Sequence, residues 1–141
     1  MSLVASAVRR VLDMDADKVR FRGKGTSGTA AAGATTSIDL HLTEERLLEG
    51  GQIILQGHVL GDHIAFEVVD VDNILGYGAG VVLDQYATNW YVDPSTNGQY
   101  VIRLEYVAFL LAGLYLRLKY TSTGAAAVSV YVNYFTHKPL S

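Results

Sequence analysis

The residues whose types come nearest to a chemical motif are Asp70-Val71-Asp72-Asn73, followed by Gly76, Gly78 and Gly80. A hard cation needs several oxygens converging on one point, and this acidic run supplies carboxylates and an amide. Its order lacks the alternating ligands, central glycine and terminal glutamate of an EF-hand loop. The spacing predicts instead a strand end and a glycine-rich turn, where Asp and Asn bond their own backbone. Gly76-Tyr77-Gly78-Ala79-Gly80 has the glycines of a phosphate cradle. A dinucleotide loop must sit between a strand and a helix, and neither that helix pattern nor a following Lys-Ser/Thr is present.

The histidines are His41, His58, His63 and His137. His58 and His63 flank a Val-Leu-Gly-Asp turn that includes Asp62, but a metal pair needs a third ligand that the spacing does not supply. Turn histidines bonded to backbone are the expectation. No Gly-x-Ser-x-Gly elbow exists to present a serine nucleophile. Glu44, Glu45, Glu49 and Glu67 form no recognisable acid/base pair. The chain has no cysteine, which excludes disulfides, thiolate metal sites and cysteine nucleophiles. We therefore expect no catalytic residue, no cofactor and no metal, and an enzyme is the least supported class.

The aromatic residues are more informative. Nine tyrosines and one tryptophan stand among 141 residues, and Tyr91, Tyr115 and Tyr131 fall on outward positions. Trp90-Tyr91 precedes Asp93-Pro94 at a strand end or loop. Exposed aromatics stack on sugar rings and are favoured at protein interfaces. Half of the chain is hydrophobic and 18% is charged, against a usual charged share of about 25%. A single domain of this size has apolar surface left over, which favours the interface reading. The candidate interface residues are Arg9, Arg10, Trp90, Tyr91, Tyr115 and Tyr131.

Composition bounds the remaining classes. The net charge is −3, so a nucleic-acid partner held by a broad basic face is not expected. The hydrophobicity excludes a disordered chain. No apolar run approaches the length of a membrane span, and Val107 to Leu116 is broken by Gly113. The basic Arg9-Arg10 follows the first apolar residues rather than preceding them, so no secretory leader is expected.

These residues need elements to position them, and the chain divides into zones. Leu3, Val4, Ala7, Val8, Val11 and Leu12 recur at spacings near three and four, which fits a short amphipathic helix or an arm ordered on a partner. Gly23 to Thr36 is almost wholly Gly, Ala, Thr and Ser and reads as a flexible linker. Residues 1–35 are thus expected to form an arm and tether, and residues 36–141 the folded body.

In that body the period is two. Ile38, Leu40 and Leu42 alternate with polar residues, as do Ile64, Phe66 and Val68, and Ile102 and Leu104. Leu114, Leu116 and Leu118 alternate with Tyr115, Arg117 and Lys119, and Val128, Val130 and Val132 with Ser129, Tyr131 and Asn133. Such alternation marks strands buried on one face. Gly50-Gly51, Gly61-Asp62, Gly76 to Gly80, Asp93-Pro94, Asn97-Gly98 and Ser122 to Gly124 read as turns. About eight short strands predict an all-β protein, an antiparallel β-sandwich resembling a jelly roll, with an N-terminal arm or short helix.

Gly61-Asp62-His63-Ile64-Ala65-Phe66-Glu67-Val68-Val69-Asp70-Val71-Asp72-Asn73-Ile74-Leu75-Gly76 resembles a segment of small virion proteins of tailed bacteriophages and prophages. So do Gln85 to Val92, Leu111 to Gly124 and Val132 to Lys138. The resemblance covers roughly residues 36 to 140 and leaves the N-terminal segment outside it. It implies a structural component of the virion, made in the host cytoplasm. Its expected partners are further copies of itself, as a trimer or another cyclic oligomer, and the major capsid protein or another virion protein. A decoration or cement role on the head is the expectation; a tail or baseplate module and a carbohydrate-binding adsorption domain are the alternatives.

Overall fold

A computed structural model describes residues 21–92 and 99–137, with the side chains of 21–23 and 87–89 left aside. Eight strands run in order: β1 (Phe21–Ala30), β2 (Thr35–His41), β3 (Arg46–Gln56), β4 (His63–Asp70), β5 (Val81–Tyr91), β6 (Gln99–Leu110), β7 (Tyr115–Thr121) and β8 (Val128–His137). They form two four-stranded sheets, β1-β8-β3-β6 (sheet A) and β2-β7-β4-β5 (sheet B). All pairs are antiparallel, and β1 pairs with β8, β2 with β7, β3 with β6 and β4 with β5. A long hairpin folded in half and wrapped into two layers produces this nesting, which is the jelly-roll form of the sandwich.

The alternation places the core as expected. Leu114, Leu116, Leu118, Val128, Val130 and Val132 are all buried, none more than 4% exposed. They meet Leu48, Ile53, Leu55, Ile64, Phe66 and Val68 from the facing strands. Fully burying each such side chain contributes about 1.5–3 kcal/mol. At the β5/β6 edge the Tyr106 hydroxyl donates to Asp84 Oδ2 at 2.7 Å, tying the two layers together.

Two expectations are overturned. The Gly/Ala/Thr tract is not a flexible linker: most of it is β1, paired with β8 through ten consecutive residues, and β2 follows after a short turn. The described sandwich therefore begins at Phe21 rather than near residue 36. Backbone pairing holds this edge strand, and small side chains suit it because its neighbours fill the space. A Cβ on Gly28 would sit 3.2 Å from Ile38 Cγ1, contributed by the other sheet. Gly50-Gly51 is likewise not a turn but a β-bulge inside β3, where the register shifts. Gly50 has φ +84°, and a Cβ there would lie 2.3 Å from the Leu104 carbonyl oxygen, so only glycine fits.

The apolar stripe at residues 3–12 and the turns at Asp93-Pro94 and Asn97-Gly98 lie outside the described residues.

Candidate functional site

The loops at the two ends of the sandwich are tied down by carboxylates. Asp70 ends β4 buried, its Oδ1 accepting from the Ile74 amide at 2.8 Å and its Oδ2 from the Leu75 amide at 3.0 Å. Asn73 Oδ1 accepts from the Gly78 amide at 2.8 Å. This is the backbone-bonding turn that the acidic run predicts. At the opposite end, sequence reasoning missed the role of Asp62. It is fully buried and accepts from the Tyr120 hydroxyl at 2.5 Å, the Thr123 amide at 2.8 Å, the Thr123 hydroxyl at 3.0 Å and the Val59 amide at 3.1 Å. Burial pushes its pKa up, but these donors together outweigh it and hold the carboxyl below its ordinary value. A lone Asp after Gly carries no signal of a partner 58 residues away.

The histidines nearby do not converge. His63 Nδ1 lies 3.4 Å from the Gly61 carbonyl and its ring beside Tyr91, whereas the His58 ring packs against Tyr100. The expected backbone bond is thus present for His63, the first residue of β4, but not for His58, whose two ring nitrogens are buried without a hydrogen-bond partner among the described residues.

The candidate interface residues are spread over the molecule. Tyr91 is 65% exposed at the end of β5, and Trp90 is half-buried against the core. Tyr115 sits at the opposite end of the same sheet, stacked on His41 with ring centroids 4.3 Å apart. Partial burial and the neighbouring Asp72 push its pKa up. Tyr131 points outward from sheet A and is exposed. Arg9 and Arg10 lie outside the described residues. These side chains therefore form no single aromatic patch.

The two outer faces differ in chemistry. On sheet B, registered positions Asp39, Arg117, Glu67 and Gln85 run across all four strands. Arg117 grips Asp39 with two bonds of 2.9 Å, and Lys119 Nζ lies 3.2 Å from Glu67. On sheet A, three registered rows contain Gly25, Asn133, Gln52 and Arg103; Ser27, Tyr131, Ile54 and Val101; and Thr29, Ser129, Gln56 and Gln99. Arg103, on the edge strand, is the only charged side chain in these rows. The rows hold a shallow depression of about 330 Å³, lined among others by Ser27, Thr29, Gln56, Gln99 and Tyr131.

Towards the far end of sheet A, past Glu105 and beside the Glu49–His137 pair, the outward side chains of β6 turn apolar. Val107 is 69% exposed and Phe109 55%, both on edge strand β6, with Leu111 exposed just beyond. Ile74 and Leu75, from the loop after β4, are also exposed, and Ile74 lies against Gly113.

No family model matches the chain, and no curated protein matches it. Among solved structures it is similar to that of the Gt strain of infectious bursal disease virus, at 12% identity and TM-score 0.46, over 86% of this chain and 32% of that one. The VP2 subviral particle of the same virus gives 10% identity and TM-score 0.46, over 86% and 33%. The chain thus spans about a third of the length of these two viral chains. A hydroquinone 1,2-dioxygenase from Sphingomonas sp. TTNP3 is also similar, at 15% identity and TM-score 0.27, over 86% and 62%.

Proposed function

We propose that the protein is a structural component of a tailed-phage virion, a decoration or cement subunit that binds the head exterior and clamps neighbouring capsomers. The observation that carries this reading is the exposed apolar stripe Val107, Phe109 and Leu111 at a sheet edge that no other described strand pairs with. Such an edge is an aggregation liability unless a partner covers it. The resemblance of residues 36 to 140 to small virion proteins supplies the setting. Arg9 and Arg10, preceding β1, are suited to an acidic capsid surface. The chain's chemistry then lies in its surfaces.

Binding to heads tests this. Purified heads that lack the protein should take up added wild-type protein saturably, and Phe109→Asp should bind at least roughly tenfold more weakly, since an apolar anchor is replaced by a charge. Absence of saturable uptake, or equal binding by the variant, contradicts the reading.

A further inference from the structure

We propose that the uncharged part of the outer face of sheet A, centred on Tyr131, is a binding site for a neutral glycan. The proposal goes beyond the head-binding role and uses a different part of the surface.

The first argument is charge. Outward positions of a sheet are where charged side chains normally gather. Sheet B follows that pattern with Asp39, Arg117 and Lys119, the last paired with the buried Glu67. The corresponding rows of sheet A carry Ser27, Thr29, Gln52, Gln56, Gln99, Ser129 and Asn133 around a middle row of Tyr131, Ile54 and Val101, with Arg103 at the margin. A phosphate or nucleic-acid ligand requires clustered cations, which this face lacks. A divalent cation requires carboxylates, and none stands in these rows. A protein interface would centre on the single apolar row of Tyr131, Ile54 and Val101 and is depleted in serine, whereas the rows on either side are dense in hydroxyl and amide groups. A hydroxyl-dense uncharged ligand is the chemistry those rows favour. Amide side chains both donate and accept, so each can bond a sugar hydroxyl in either sense.

The second argument is the platform. Tyr131 pairs with Ser27, and its ring leans diagonally across β1 onto Gly25. A Cβ at Gly25 would lie 2.7 Å from the Tyr131 hydroxyl oxygen and 3.3 Å from Cζ. The missing side chain thus lets the ring lie down on the sheet, leaving it 42% exposed. A flat aromatic ring beside hydrogen-bonding groups is a surface on which the C–H face of a sugar stacks. The adjoining depression, about 330 Å³, is at the lower end of the range for small-molecule sites.

The test uses the full-length protein on an array carrying laminarihexaose, cellohexaose, maltohexaose and neutral bacterial O-chain oligosaccharides, with heparin hexasaccharide as the charged control. At least one neutral glycan should bind. Tyr131→Ala should weaken that binding about tenfold or more, Gln56→Ala should weaken it, and Tyr131→Phe should retain most of it. Tyr115→Ala, on the other sheet, should leave it unchanged, and melting curves confirm that each variant is folded. Binding to no neutral glycan, a preference for heparin, or insensitivity to Tyr131→Ala overturns the proposal. So does a change in oligomeric state caused by Tyr131→Ala, which would make the face a subunit contact. Phe109→Asp, at the head-binding stripe, should bind the glycan as wild type does, so failure of the glycan test leaves the decoration role standing.

Discussion

Asp62 and Tyr134 show how two buried polar groups of similar burial have opposite energetic signs. Asp62 has its donors, and its pKa lies below the ordinary 3.8, so its ionised form is favoured in the folded chain. A depressed folded pKa contributes stability above the unfolded value and loses it as pH falls through the folded one. Wild-type melting temperature should therefore fall more steeply on acidification below about pH 4 than that of Asp62→Asn, measured in parallel scans. At neutral pH, Asp62→Asn should cost about 2–4 kcal/mol, since its amide presents hydrogens to donors. Tyr120→Phe removes one of those donors and should cost about 1–3 kcal/mol. Tyr134 is different: its hydroxyl is buried in the core with no hydrogen-bond partner among the described residues. Tyr134→Phe should leave stability unchanged or raise it by up to about 1–2 kcal/mol. Denaturant titration of the two tyrosine variants side by side checks the contrast, and a large loss for Tyr134→Phe contradicts it.

Among the elements, β7 and β8 were legible because Leu114 to Leu118 and Val128 to Val132 alternate without interruption, and alternation on a half-buried strand has one physical cause. The Asp70 turn was legible because short acidic side chains next to glycines have few other uses. β1 was not, because a strand built from Gly, Thr, Ser and Ala shows no hydrophobic period. Its stability comes from pairing with β8 and from Tyr131 and Ile38 lying where its side chains would be, and a single sequence does not display those contacts. The bulge at Gly50 was hidden similarly, since a Gly-Gly pair signals a turn whether or not the chain reverses. Of the tyrosines expected to face outward, 91 and 131 are exposed and 115 is half-buried, and strand order puts 131 on the sheet opposite the other two. Truncation tests the boundary. Removing residues 1–35 deletes β1 and bares the edge of β8, and should lower the melting temperature by roughly 10 °C or more. Removing residues 1–20 spares all eight strands, so an arm that serves other subunits predicts an unchanged melting temperature with oligomerisation or particle binding lost. A much lower melting point for that shorter deletion would mean that the segment packs on its own sandwich. Leu116→Asp, at a fully buried core position, should abolish soluble folding.

The whole molecule is a two-layered sandwich with unequal surfaces. One face carries a ladder of paired charges; the other has an uncharged part around Tyr131, the charged pairs Arg103–Glu105 and Glu49–His137, and exposed apolar side chains along β6. Surfaces so differentiated suit a subunit that touches several neighbours at once. With that much apolar area exposed, the isolated protein should self-associate at high micromolar concentration, as a trimer or another cyclic oligomer. Light scattering of wild type and Phe109→Asp checks this, the variant shifting toward monomer; a clean wild-type monomer would restrict assembly to the particle. The central claim, a head-decorating virion subunit, is tested most directly by counting copies in purified particles with isotope-labelled peptide standards. Hundreds of copies per particle, recovered with the heads, are predicted. A handful recovered with tails, or none at all, would contradict it.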